Sequence, residues 1–489
     1  MNQARQRDST NHIHRTSQPV APEAFLITQD VLPAQARVLP LGQAPLSFAQ
    51  LVHWNLSGLG ERHAVRQIVS ATSLRGSLDR DALQRSLDEL VRRHGALRTR
   101  ILISGGVPIQ EAVDSVRCEI EVSEPREFGD AERARQISLE IERLVLQPID
   151  ISQAPLFGVR LLRMATNEHV LLVAMEHSIS DAFSMRILLR ELFSAYFQVV
   201  ACREMTLPPV GTQFLEHSKR QRKAHAAWFA KHSAYWRERL GKGERFRFPQ
   251  DERVFEPGVG WDMVPVSFDS SSKQQLSALL RAKGVTLPIG VFAIYAAFVL
   301  CWCRASRAIF MYQSDGRVSP SVQNTIGLFA TVLYLCVEIR PHDRLGDLLA
   351  RVMDEYCNSQ EHFDHAFMES RAPRPEFARN SGFSWIPQHS SKDGFEGGEG
   401  FEGGASGSAL EISSVDFEHP MRKRLELDLE PSIGLHDRGT EIIGGVHFPL
   451  DRFARETLER FARSFSVFVR EWGSHPEANV AEIARRALS

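Results

Sequence analysis

Apolar residues recur every three or four positions through Leu83, Leu87, Leu90 and Val91, and that spacing predicts an amphipathic helix. Ser77 stands where it can cap the helix, and Asp79 and Asp81 suit the positive end of its dipole. Gly95 closes the helix; Leu97, Thr99, Ile101 and Ile103 then alternate as a strand does, up to a Gly105-Gly106 turn. A different pattern begins at Val170. The run Val170–Met175 (VLLVAM) is continuously apolar, with the length of a buried strand. Glu176 to Ser180 form a short connection, and Met185, Leu188, Leu189, Leu192, Phe193 and Tyr196 then share one face of a helix. A polar cluster at the mouth of a buried strand is a place where a scaffold holds reactive groups rigidly.

Glycine, proline and charge interrupt the pattern across 241–260 and place a boundary there. Beyond it the spacing predicts a helix over Ser272–Lys283 and an all-apolar helix over Leu287–Cys303. Strands follow at Ala308–Tyr312 and Val332–Ile339, and an amphipathic helix over Arg452–Trp472 closes the chain. Both halves mix strands and helices, so the expected fold class is α/β, two α+β sandwiches side by side. The expected organisation is a flexible tail over 1–38, an N-terminal subdomain over 39–245 and a C-terminal subdomain over 246–489. Residues 389–408, dominated by glycine, glutamate and serine, are expected to form a flexible loop within the last of these.

Composition narrows the function classes. The 489 residues carry 58 Lys and Arg against 60 Asp and Glu, a net charge of -2, which excludes binding of nucleic acid or anionic membrane by bulk electrostatics. Six cysteines are too few to staple a chain of this length, so reduced thiols are expected, with Cys301 and Cys303 read as buried thiols rather than a metal pair. Residues 1–22 carry Arg5, Arg7 and Arg15 without an apolar core, unlike a secretory signal. The Leu287–Cys303 run falls short of the ~18–20 apolar residues a spanning helix needs. A monomeric, cytoplasmic protein is the expectation.

The residues that carry chemistry are Glu176-His177-Ser178-Ile179-Ser180-Asp181. Histidine titrates near neutrality, so His177 can take a proton from an attacking amine or hydroxyl, or hold a hydrogen bond that steadies a developing charge. Asp181 can orient the ring or anchor the loop. Ser180 reads as a helix cap and Ser184 as packing. His12 and His14 read as part of a disordered tail, and Asp364 and His365 as part of a helix beyond the core.

The stretch HVLLVAMEHSISDAFSMRILLREL resembles the HHxxxDG strand–loop–helix of the condensation-domain superfamily of nonribosomal peptide synthetases. Further segments resemble that family in the same order. They are LSFAQLVHW (Leu46–Trp54), LRGSLDRDALQRSLDELVRRHGALRT (Leu74–Thr99), LQPIDISQAPLF, YWRERL (Tyr235–Leu240) and IGLFATVLYL (Ile326–Leu335). The resemblance implies two chloramphenicol-acetyltransferase-like subdomains in a V with a central tunnel. It implies that carrier proteins dock at the tunnel mouths and insert phosphopantetheine arms toward His177, the catalytic histidine of the motif. Asp181 takes a structural role, paired with an arginine, for which Arg317 in the DGR triplet comes first and Arg98 second. Glu176, Ala182, Ser180 and Thr331 are the tunnel-lining candidates. No metal and no organic cofactor is expected, since a thioester is already activated and needs mainly orientation, desolvation and help with one proton.

The chain departs from the family pattern in several places. Glu176 replaces the motif's first histidine, Ala182 its glycine, Val52 a usual arginine, and Thr331 and Tyr334 a usual asparagine and proline. Paired aspartates of the cyclising branch are absent, and Gly403-Gly404-Ala405-Ser406 only superficially matches a phosphopantetheine attachment site. The implied function is that of a free-standing enzyme that joins a carrier-bound acyl or aminoacyl thioester to a small amine or alcohol, giving an amide or ester. Two alternatives remain at this point: an acyltransferase of the same superfamily that uses acyl-CoA, and a non-catalytic domain that recruits a partner to a carrier.

Overall fold

The computed structural model describes residues 39–56, 67–123, 130–147, 149–241, 247–249, 260–362, 381–386, 410–415 and 430–488. The expected tail, the glycine-rich segment 389–408, Asp364 and His365 lie outside these residues. The first half runs β1 (Gln43–Pro45), α1 (Phe48–Leu56), β2 (Gln67–Arg75), α2 (Arg80–Arg93), β3 (Thr99–Ser104), β4 (Val107–Ala112), β5 (Ile120–Ser123), α3 (Asp130–Leu146), β6 (Phe157–Ala165), β7 (Glu168–Glu176), α4 (Ala182–Val200) and α5 (Phe214–Gly241). The second continues β8 (Trp261–Phe268), α6 (Ser270–Ala282), α7 (Leu287–Trp302), β9 (Arg307–Ser314), β10 (Thr331–Glu338), α8 (Leu345–Glu361), β11 (Gly382–Ile386), β12 (Glu411–Ser414), β13 (Ser432–Asp437), β14 (Ile442–Pro449), α9 (Arg455–Ser474) and α10 (Val480–Leu488).

The apolar run before His177 is a central strand. β7 pairs antiparallel with β2 on one side and β6 on the other, within the order β12-β2-β7-β6-β5. Leu171, Val173 and Met175 join one hydrophobic cluster with Leu83, Leu87 and Leu90 of α2 and Leu188 and Leu192 of α4. Val170, Leu172 and Ala174 join another, with Ile141, Leu144 and Val145 of α3. Side chains on a strand alternate between faces, so a strand covered on both reads as unbroken apolar sequence. That double burial makes β7 a rigid base for the turn that follows it.

The second sheet has the order β10-β9-β11-β13-β14-β8. Its largest cluster encloses α7, where every residue from Ile289 to Leu300 is buried. A helix apolar on all sides is stable when protein surrounds it, and α7 meets that condition between the sheet and Phe461, Phe465 and Phe468 of α9. No single helix among the described residues is long and apolar enough to cross a membrane. A third, three-stranded sheet runs β1-β4-β3.

Several contacts tie the halves together among the described residues, two of which bear on the site. β12, from the second half of the chain, pairs antiparallel with β2 and so extends the first sheet. The segment between β9 and β10 sends Val322, Ile326, Leu328 and Phe329 into the first half's core.

The structure corrects several local expectations. Asp79, not Ser77, caps α2, its carboxylate accepting from Ala82 N at 2.9 Å, because the helix starts at Arg80. Leu97 lies in a single 3-10 turn, Gly95–Arg98, rather than in the strand; Ile103 is 60% exposed near the end of β3, so the alternation there does not mark burial. Cys301 and Cys303 are half-buried at the end of α7 rather than buried, and all six cysteines are free thiols. Burial pushes the Cys301 thiol up to about 12, which keeps it protonated and unreactive at neutral pH.

Candidate active site

His177 opens a single 3-10 turn, His177–Ile179, directly after β7. Three contacts fix that turn. The Glu176 carboxylate accepts from Ser178 N, and Gln50 of α1 donates from Nε2 to Ser178 O at 2.8 Å. Ser180 closes it, its hydroxyl donating to Glu176 O at 2.9 Å. Gln50 is itself held by Ser47, whose backbone N–H donates to its Oε1 at 2.8 Å. The Ser47 and Gln50 of the SFAQ segment therefore brace the histidine turn from a helix more than a hundred residues away in sequence.

The His177 ring is oriented by the turn's own backbone. Nδ1 lies 2.8 Å from Ser180 O. A carbonyl only accepts, so Nδ1 carries the proton and Nε2 presents a lone pair. Among the described residues no hydrogen bond engages Nε2. Burial, and the neighbouring His53, hold the imidazole's pKa below the usual histidine value, against the opposing pull of Ser180 O, Glu176 and Asp181. The neutral, basic form is accordingly the prevailing one at neutral pH.

Asp181 does a different job. It caps α4, with Oδ1 accepting from Ser184 N at 2.7 Å. Arg317 grips it with both terminal nitrogens, Nη1 to Oδ2 at 2.8 Å and Nη2 to Oδ1 at 3.1 Å. Oδ2 also accepts from Phe329 N at 2.9 Å and Ala330 N at 3.0 Å. Burial alone would raise this carboxyl's pKa, but the Arg317 charge and the donors around it outweigh burial and hold it below the usual carboxylate range. The Arg317 guanidinium lies between the Phe183 and Phe329 rings, 4.6 and 4.5 Å from their centres. Asp181 thus anchors the start of α4 to the segment before β10; the ring of His177 is oriented by Ser180 O instead.

Ser184 belongs to the same network, which the sequence reading missed. Its Oγ accepts from Arg317 Nη2 at 2.9 Å and from Gly327 N at 3.1 Å, and lies 2.7 Å from Gly327 O. Gly327 has to be glycine: a Cβ there would lie 2.1 Å from the buried ring of Phe214. Gly327→Ala is expected to push the 327–330 segment off Asp181 and lower the unfolding free energy by about 1–3 kcal/mol, read as a lower urea midpoint. An unchanged midpoint would show that Phe214 moves aside.

The other sequence candidates fall in three groups. Arg98 does not reach Asp181; it donates to Val91 O at 3.0 Å and to the carbonyls of Val113 and Asp114, stapling the end of α2 to the strand β4 side. Ser180 is fully buried and turned back to Glu176 O, so it neither caps α4 nor lines open space, and Glu176 is only 2% exposed beneath the turn. Ala182 is exposed at the first turn of α4, and half-buried Thr331 begins β10 next to Ala330. His53, unremarked in the sequence reading, has its ring centre 5.0 Å from that of His177. Its only sequence signal was membership of the LSFAQLVHW segment.

Comparison with known proteins identifies the family and the fold. The condensation domain family model matches residues 41–485. Surfactin synthase subunit 1 of Bacillus subtilis (strain 168) is 26% identical over 444 residues, 90% of this chain but 12% of that protein. The chain likewise spans 9% of chondramide synthase of Chondromyces crocatus, at 26% identity over 68% of its own length. Among solved structures, the first condensation domain of the calcium-dependent antibiotic synthetase, in complex with a substrate analogue, superposes with a TM-score of 0.73 at 16% identity. That match covers 90% of this chain and 98% of the other. The complex of the X-domain and OxyB from teicoplanin biosynthesis gives 0.70 at 19%, over 92% and 98%. The mixed α/β fold is the one these domains share, and the chain belongs to the condensation domain family of nonribosomal peptide synthetases.

Proposed function

We propose that this condensation domain transfers an acyl or aminoacyl group from a carrier-protein phosphopantetheine thioester to a small amine or alcohol. The observation that carries the reading is the state of His177: Nδ1 tied to Ser180 O, Nε2 open, and the ring biased to its neutral form. The acceptor's nitrogen or oxygen attacks the thioester carbonyl while its proton passes to Nε2. Collapse of the tetrahedral intermediate breaks the carbon–sulfur bond, and the departing thiolate recovers the proton from His177. Atoms and charge balance without an oxidant, reductant or metal in this scheme. Rigidity supports it, because a base acts well only when held within hydrogen-bond reach of the proton it takes.

A second reading has its own support. The X-domain that this chain resembles was solved in complex with OxyB, and Glu176 stands where the family motif has its first histidine. On this reading the chain would bind a carrier and a partner without turnover.

Intact-protein mass spectrometry of an acyl-loaded carrier protein, incubated with a panel of amines and alcohols, separates the readings. The expected result is loss of the acyl mass from the carrier with a matching product, and turnover of the same acyl group on coenzyme A at least tenfold slower. Equal turnover from coenzyme A would favour an acyl-CoA-dependent transferase. Carrier binding without unloading would favour recruitment.

A further inference from the structure

The proton transfer above uses neither His53 nor Glu176, yet both lie against His177. Nε2 of His53 stands 3.6 Å from a Glu176 carboxylate oxygen, with the two side chains 17% and 2% exposed. The His53 and His177 ring centres are 5.0 Å apart. The three residues come from α1, the last position of β7, and the turn that follows. α1 is held over that turn by the Gln50 bond to Ser178 O, so the separation is built into the fold.

We propose that His53 and Glu176 together set the protonation of His177, His53 opposing a proton on that ring and Glu176 favouring one. They are positioning residues, and their effect on turnover rests on the acyl-transfer reading. A positive charge this close to the His177 ring disfavours a proton on it. A carboxylate at the same site acts with the opposite sign. Among the described residues, the ionisable groups that act on His177 are His53 from α1, Glu176 from β7 and Asp181 from the start of α4, the last paired with Arg317. With Asp181 engaged elsewhere, the balance falls to the other two. Against the family pattern, this chain has placed a carboxylate at the position of the motif's first histidine and an imidazole across the turn from it.

The test is an NMR titration of the full chain carrying isotope-labelled histidine, with the His177 resonance identified by its loss in His177→Ala. His53→Phe keeps a ring and removes the ionisable group, and should raise the His177 midpoint by about half a unit to one unit. Glu176→Gln keeps an acceptor for Ser178 N and should lower the midpoint by a similar amount. His53→Lys, which restores a positive charge, should bring the midpoint back to the wild-type value or below. The acid limb of the pH–rate profile should move in the same directions. A packing role alone gives no such opposed pair of shifts. If both variants leave the midpoint in place, the inference fails, and turnover that is still lost in His177→Ala keeps the acyl-transfer reading. Opposed shifts in a protein that unloads no carrier keep this inference and sink the acyl-transfer reading instead.

Discussion

His177→Ala is expected to lower kcat/KM for carrier unloading by at least about 100-fold, and by up to about 10,000-fold, the range a positioned general base contributes. The fold should survive the change. The ring's hydrogen bond runs to a backbone carbonyl of its own turn, and Glu176, Gln50 and Ser180 hold that turn without it. The melting temperature should therefore stay within a few degrees of wild type. The pH profile carries a second signature. Burial and His53 depress the imidazole's pKa, so turnover should fall only as pH drops below the ordinary histidine range, because protonation removes the Nε2 lone pair. A His177→Ala protein with near-normal turnover would remove the basis for the catalytic reading and leave the recruitment reading in its place.

The second large effect is on stability. Arg317→Ala leaves the Asp181 carboxylate buried beside Ser184, Phe329 N and Ala330 N without its guanidinium, and breaking a buried pair in this way costs about 3–5 kcal/mol. Asp181→Ala strands Arg317 between two aromatic rings, with a comparable penalty expected. The double variant should lose less than the sum of the two, since neither charge is then left alone. Urea denaturation of all four proteins completes the cycle, and single variants with unchanged midpoints would refute the anchoring role. The pH sense follows from the depressed carboxyl: the pair's contribution is present above the usual carboxylate range and is lost as pH falls through the lowered value. Turnover should fall in both single variants as well, because α4 begins at Asp181, directly after the histidine turn.

The legible parts of this protein were those whose causes are local. The two-sided burial of β7 is written in six consecutive apolar residues, and the amphipathic face of α2 in the spacing of Leu83, Leu87, Leu90 and Val91. The all-apolar α7 announced a helix enclosed by protein. Local reading failed at ends, where one residue decides. Asp79 rather than Ser77 caps α2, and Asp181 rather than Ser180 caps α4, because a cap is defined by where helical dihedrals begin and not by residue type alone.

Family likeness carried His177, Asp181 and Arg317 further than periodicity did, and it went astray where likeness of residue type stood in for geometry. Arg98 is an arginine in a matched motif, yet its guanidinium serves the carbonyls of Val91, Val113 and Asp114. Ser180 follows the histidine closely, yet its hydroxyl turns inward. Ser184 looked like packing and is a junction between the two halves.

By itself the sequence determined the α/β character, the buried strand that ends at the histidine, and the titratable side chains that follow it. Those follow from side-chain chemistry and from patterns spanning a few residues. Tertiary structure alone decided that Asp181 meets Arg317 across 136 residues and Ala330 N across 149, that Gln50 braces the turn from 128 residues away, and that His53 faces His177. No local pattern encodes such pairings. They exist because the core brings α1, the end of β7 and the segment before β10 together, and because a buried carboxylate there is stable only with its charge and lone pairs satisfied.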